Sequence, residues 1–246
     1  MKMINEKSVL EDLVALRTRG HLDRILKVYK KMPKLQCKAC GKCCYDTPAV
    51  FYVEFLAVYD LFTKFEKEKK IEVLKNAFRD HFYGMAIERR PCMFLNKQNN
   101  CMIYDRSPLS CKTWGIQGQK NYEDSVEDDT KRNNVFKKHY EDRGIEIDEK
   151  IFNILPYCND VKIIKNNYNV NIKDIEEFRK EFARIEVRYL NPGDDSWTLT
   201  QFFIYTYFDC YKIYTDRMDV TKEYQKGNLN AVEDYINNID FDKILK

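Results

Sequence analysis

The sequence predicts a mainly α-helical protein organised around an irregular, cysteine-rich metal-binding core. Three observations carry that expectation. Apolar residues recur at helical spacing over most of the 246 residues. That periodicity fails in a stretch holding prolines and an Asn-Asn pair, RRPCMFLNKQNNCMIYDRSPLSCKTWG, which reads as loop with at most short strand pieces. The octapeptide CKACGKCC, residues 37–44, holds four of the nine cysteines.

The helices follow in order. In SVLEDLVALRTRGHLDRILKVYKKM, Leu10, Leu13, Val14 and Leu16 precede Gly20, and Leu22, Ile25, Leu26 and Tyr29 follow it, so two short helices fit best. Pro33 ends the second, because proline disfavours helix in the residue before it. VEFLAVYDLFTKF and IEVLKNAFRDHFYGMA read as two amphipathic helices between the cysteine groups. Beyond Trp114 come the acidic NYEDSVEDD, the helix-like KRNNVFKKHYED, and the tripeptide Pro156-Tyr157-Cys158. Further helices are expected in IKDIEEFRKEFARIEVRYL, ended by Asn191-Pro192-Gly193, in TLTQFFIYTYFDCYKIYTDRM, and in LNAVEDYINNI. The organisation expected is a cysteine-cluster domain over residues 1–120 with flanking helices, and a helical extension over 121–246 that either belongs to the same domain or forms a second one.

Composition excludes some functions. The N-terminus is charged throughout, unlike a secretory signal, and no stretch reaches the ~18 apolar residues of a membrane span, so a cytoplasmic protein without a membrane partner is expected. The net charge is +3 with both signs interspersed, which leaves no basic stripe for nucleic acid. There is no Gly-x-Gly-x-x-Gly loop, phosphate-binding Gly-Lys-Ser/Thr or Gly-x-Ser-x-Gly elbow, so any enzymatic activity rests on a metal centre.

In a reducing compartment clustered thiols bind metals rather than pair as disulfides. A Cys-x-x-Cys turn curls two thiolates onto one metal, and Cys37, Cys40 and Cys43 repeat that step. Adjacent Cys43 and Cys44 project differently, so the doublet is expected to join two ligand sets. Cys92, Cys101 and Cys111, with Cys158, complete eight candidate ligands, enough for two four-thiolate sites holding zinc or iron–sulfur clusters. Lys34, Lys38, Lys42, Arg89, Arg90, Arg106 and Lys112 would favour thiolates if they face the site, and are otherwise solvated surface. The bland alternative for each cysteine is a buried apolar thiol, and Cys210, on a hydrophobic helix face, fits that best. His21, His81 and His139 are expected at the surface. Phe202, Phe203, Tyr205, Tyr207, Phe208, Tyr211 and Tyr214 fit core packing better than a substrate wall.

CKACGKCC followed by PCMFLNKQNNCMIYDRSPLSCKTW resembles the YkgJ-type cysteine-cluster family, whose pattern is Cys-x-x-Cys-x-x-Cys-Cys, then Pro-Cys-x-Phe-Leu, Cys-x-Ile-Tyr and Arg-Pro-x-x-Cys-Arg. The resemblance covers about a third of the chain and implies zinc or iron chelation by Cys37, Cys40, Cys43, Cys44, Cys92, Cys101 and Cys111. Ser107 replaces the arginine before proline, with Arg106 one place earlier, and Lys112 replaces the arginine after the last cysteine. Flagellin lysine N-methylases are more distantly similar and would imply S-adenosylmethionine as a further cofactor and a peptide or protein substrate. Two functions remain open at this point: a metal-dependent enzyme acting on a peptide or protein, and a non-catalytic chelating or electron-transfer module that binds a protein partner. Iron, alone or as an iron–sulfur cluster, is preferred over zinc because of the three-step thiolate run and the eight candidate ligands.

Overall fold

The computed structural model describes residues 4–36, 40–116, 118–152, 154–189 and 197–245. The chain begins with α1 (Glu6–Thr18) and α2 (His21–Lys31). Asn5 starts α1 with a capping box: its side chain accepts from the Ser8 N–H, and its own N–H donates to Ser8 Oγ. Gly20, at φ +69°, makes the expected break between the two helices. Of the periodic apolar residues in α1, Val9, Leu13 and Leu16 face the core, while Leu10 and Val14 are exposed.

A short strand β1 (Lys34–Gln36) leads into the cysteine run, then α3 (Tyr52–Phe62) and α4 (Lys67–Ala86) follow. Nearly every residue of α3 is buried, as in a helix packed on all sides. Its two acids are satisfied: Glu54 accepts from Tyr29 Oη at 3.0 Å, and Asp60 pairs with Arg17, Lys64 and Arg106. Burial opposes the ionised Asp60, but hydrogen bonds from Lys64, Arg106 and Arg17 outweigh it and hold the carboxyl at about 2.

After the loop-rich segment comes the one-turn helix α5 (Leu109–Lys112), then α6 (Gln119–Glu141). The acidic stretch NYEDSVEDD is the first half of α6, continuous with the helical part that follows. Strand β2 (Lys162–Lys165) pairs antiparallel with β1, Leu35 opposite Ile163 and Gln36 opposite Lys162, so the C-terminal half pins the entry to the cysteine run. Two strands of three and four residues are too short to show the alternation that would predict them.

The remaining helices are α7 (Ile172–Glu186), α8 (Leu199–Tyr207), α9 (Cys210–Gln225), α10 (Ala231–Asn237) and α11 (Phe241–Ile244). The expected single helix through TLTQFFIYTYFDCYKIYTDRM is two helices. Phe208 is extended at the end of α8, and the Asp209 side chain caps α9 through the Lys212 N–H. The break divides the aromatic run: Phe202, Phe203 and Tyr205 are buried, Tyr207 and Phe208 half-buried, and Tyr211 and Tyr214 are 73% and 37% exposed. The expected stop at Asn191-Pro192-Gly193 lies outside the described residues.

Aromatic stacking joins the layers. Phe202 stacks on Phe55 at 5.0 Å, and Phe203 meets Phe62 at 4.9 Å and Phe94 at 5.4 Å. One hydrophobic cluster runs from Ile4 to Phe241 and takes side chains from both sides of residue 120. Two histidines depart from expectation. His21 is buried with Nδ1 2.6 Å from Tyr189 Oη, and His81 is buried edge-on against Tyr205. Each sits on the inward face of an amphipathic helix, where a ring with one bonded or sheltered nitrogen packs as an aromatic. His139 is half-buried, with Nε2 2.8 Å from Tyr214 Oη.

Candidate metal centre

The two cysteine segments are joined by backbone and packing. Gly41 has φ +70° and begins the turn of 3₁₀ helix over Lys42–Tyr45, closed by the Cys44 N–H donating to the Gly41 carbonyl at 2.9 Å. A Cβ on Gly41 would come within 3.2 Å of Leu95 Cδ2 and 3.3 Å of Asn99 Oδ1. Both the backbone conformation and the close approach of the second segment therefore require glycine here. The Cys92 N–H donates to the Cys44 carbonyl at 2.7 Å, tying the segments directly.

The second segment is a tight hairpin. Leu95 bridges Cys101, the Met102 N–H donates to the Phe94 carbonyl at 2.9 Å, and Asn96 Oδ1 accepts from the Gln98 and Asn100 N–H groups. Asn99 takes the left-handed conformation at φ 58°, a region asparagine tolerates. Met93, Phe94 and Ile103 are buried, so the hairpin is anchored in the aromatic core while Cys92 and Cys101 flank the anchor. Cys111 is carried by α5, whose N-terminus is held by Glu54: the Leu109 N–H donates to Glu54 Oε1 at 2.7 Å.

Cys43, Cys92 and Cys101 act electrostatically on both Cys44 and Cys111. A side-chain hydrogen bond between the neighbours lowers the Cys43 thiol to about 7; the same bond, with burial, pushes Cys44 up. Burial raises Cys92 to about 12, with Asp80, Cys101 and Cys43 adding to it. Burial also raises Cys101, against the Ile103 N–H and the Lys112 ammonium. Cys111 retains solvent access, yet desolvation by the protein around it, then Cys92, Cys101, Glu54 and Cys43, push its thiol well above the ordinary range. Thiols so placed cannot all ionise together without a cation among them.

The cations expected near the site divide. Lys112 acts on Cys101 and lies over the rings of Tyr29 and Tyr104 at 5.1 and 5.5 Å. Arg106 is committed to Asp60 and the Ala57 carbonyl on the other side of its loop, which accounts for a basic residue there without any thiol partner. Arg89 donates to the Ile151 carbonyl at 2.7 Å, and Arg90 pairs with Glu88 and stacks over Tyr83.

Comparison with known families bears on this region. Residues 36–136 match the CxxCxxCC family model, described as a putative zinc- or iron-chelating domain. The CxxCxxCC region runs from the last residue of β1 into α6 and includes every cysteine except Cys158 and Cys210. No curated protein and no solved structure matches the chain.

Of the eight ligands expected, Cys43, Cys44, Cys92, Cys101 and Cys111 act on one another electrostatically. Cys40 is described and exposed, while Cys37 lies outside the described residues, as does Lys38. Cys158 lies beside Gly115, its carbonyl 3.2 Å from where a Cβ would stand, at the far end of the Cys111 turn. Among the described residues, no three His, Cys, Asp or Glu side chains stand close enough to hold a metal ion. Cys210 is half-buried at the start of α9 and packs against the core. Sequence patterns did not single out Glu54, which positions Cys111, or Asp80, which acts on Cys92. An acid in the middle of an otherwise apolar helix, as in YVEFLAV, is the signal that could have found Glu54.

Proposed function

We propose that the chain binds a metal through thiolates of Cys43, Cys44, Cys92, Cys101 and Cys111, completed by Cys37 and Cys40, and that the metal is iron, alone or in an iron–sulfur cluster. What supports this reading is the electrostatic linkage of five thiols from two segments tied by the Cys92 N–H to Cys44 carbonyl bond, most of them held in the protonated state by burial and by one another. Such an arrangement is costly for thiolates alone and is relieved by a soft cation, whose charge deprotonates coordinating thiols. The donor set fits the zinc- or iron-chelating description of the CxxCxxCC domain. More than four thiols in reach exceed one structural zinc site, which supports iron–sulfur chemistry or a second metal.

When bound, the metal would supply electron transfer or Lewis acidity. The chain itself supplies the turn at Gly41, the hairpin anchored by Phe94, the Glu54 brace for Cys111, and Lys112 as a nearby positive charge. Cys40, Cys43 and Cys111 are exposed, so the centre lies where a peptide side chain or a protein partner can approach it. Of the described residues, no helix is long and apolar enough to cross a membrane. The reducing cytoplasm is the compartment in which these thiols would remain available as ligands.

Metal analysis and absorption spectroscopy of protein purified without oxygen test the proposal. Iron with sulfide-dependent visible absorption is expected. Colourless protein carrying only stoichiometric zinc would remove the iron reading and leave a zinc site.

A further inference from the structure

A groove of about 480 Å³ opens between strand β2 and the start of α7. Ile116, Ile163, Val170, Ile172 and Ile175 line it, together with Lys173. Ile163 and Ile164 of β2 are 50% and 61% exposed, and Tyr168 in the turn that follows and Ile172 are exposed as well. On one side β2 pairs with β1; among the described residues, no strand or backbone group pairs with its other edge. That edge presents unpaired N–H and C=O groups, the template to which an extended chain adds.

Charge chooses the occupant. Lys162 and Lys165 bracket the two isoleucines, Lys34 stands opposite Lys165 across the sheet, and Lys173 lines the groove. All four are exposed, and none of them forms an ion pair among the described residues. Asp174, the acid in the first turn of α7, is taken up by the Asn171 N–H at 2.9 Å. A second copy of the chain fits poorly: two β2 edges paired antiparallel about a two-fold axis would set Lys162 against Lys165 at both ends, and like charges directly opposite destabilise a sheet. The same lysines favour a strand that carries acids there. We infer that the outer edge of β2 and its groove dock an extended peptide segment of a protein partner, with an apolar residue in the groove and acidic residues opposite Lys162 and Lys165. The residue opposite Ile163 faces the groove, because directly opposed residues of neighbouring strands share a face. This inference goes beyond the metal reading and uses none of the cysteines. The surface is nevertheless close along the chain to both cysteine segments: Gln36 of β1 leads into the first, and Ile116 follows the second, its N–H donating to the Thr113 carbonyl at 3.0 Å.

Fluorescence anisotropy of the full chain with the labelled peptide Thr-Glu-Ile-Ile-Glu-Thr, which reads the same in both directions, tests this surface. Saturable binding that weakens with added salt is expected. Thr-Lys-Ile-Ile-Lys-Thr should bind at least about tenfold more weakly. The double variant Lys162→Glu, Lys165→Glu should invert that order, and Ile163→Thr should weaken both peptides. N-methylation of one isoleucine amide should abolish binding and of the other should spare it, since successive N–H groups of a strand point to opposite edges. The substituted side chains are exposed, and melting curves check that each variant folds. No saturable binding, equal binding of the two peptides or an unchanged order in the double variant overturns the surface; equal effects of the two methylations overturn strand addition. A dimer in solution that Ile163→Glu disperses gives the groove to a second copy and overturns the peptide. Metal per chain measured on the same samples keeps this proposal apart from the metal centre, because none of the substituted residues is a candidate ligand.

Discussion

The aromatic interface of α3 with α8 and the cysteine turn beside it are held by opposite means. At the interface, Phe55, Phe62, Phe202 and Phe203 are fully buried and contact one another, so burial of apolar surface alone accounts for its order. At the turn, order comes from a left-handed glycine, one backbone hydrogen bond from Cys92 to Cys44, and a hairpin anchored at Phe94, while the thiols themselves oppose being brought together as thiolates. The first region needs no partner. The second is a scaffold whose functional atoms gain most from a cation, and the difference teaches where a ligand is required.

The largest expected effect breaks the first region. Phe203→Ala should cost about 3–5 kcal/mol, because it opens a cavity where rings from α3, α8 and the hairpin meet. Chemical denaturation measures it, and a loss under about 1 kcal/mol would show that the core re-forms around the gap. Asp60→Ala comes next, at about 3 kcal/mol, since it strands Arg106 and removes the partner of Arg17 and Lys64. The Asp60 carboxyl is held at about 2, below its ordinary value, so its contribution is complete above about pH 4 and is lost as pH falls towards 2. Wild-type stability should therefore fall more steeply than that of the variant across that window in acid titrations of unfolding.

Smaller effects sharpen the second region. Gly41→Ala should cost about 1–2 kcal/mol from its left-handed backbone and, by pushing against Leu95 and Asn99, should lower metal per chain as well. Retained metal with lost stability would mean that the turn adapts without moving the thiols. Asp80→Asn has the opposite sign at high pH. Burial raises this carboxyl to about 7 despite the Thr200 hydrogen bond and the attraction of Arg217. Its folded value lies above its unfolded one, so the stability it contributes is full below about pH 4 and declines as pH rises through 7. Melting curves should show Asp80→Asn gaining on the wild type as pH is raised from 4 to above 7; parallel curves would contradict the buried, raised carboxyl.

Much of this contrast is legible in the sequence. The helices around Leu13, Leu16, Ile25 and Phe55 follow from 3.6-residue periodicity, and the irregular segment from its prolines and asparagines. The ligand candidates follow from spacing, and the electrostatic linkage of Cys92, Cys101 and Cys43 with Cys44 and Cys111 shows only in the folded chain. What stayed hidden depends on tertiary partners. Phe208-Asp209 reads as helix until the Asp209 cap turns the chain, and His21 and His81 look polar until Tyr189 and Tyr205 cover them. The pairing of β1 with β2 joins residues far apart in the chain through segments too short to carry a pattern.

Metal per chain in Cys44→Ser, Cys101→Ser and Cys210→Ser, purified side by side without oxygen, tests most directly that two separate segments build one centre. Cys44→Ser and Cys101→Ser should both lose metal, one from each segment, while Cys210→Ser, packed against the core, keeps the wild-type content. Full metal in either of the first two variants, with its spectrum unchanged, would contradict a centre shared between the segments.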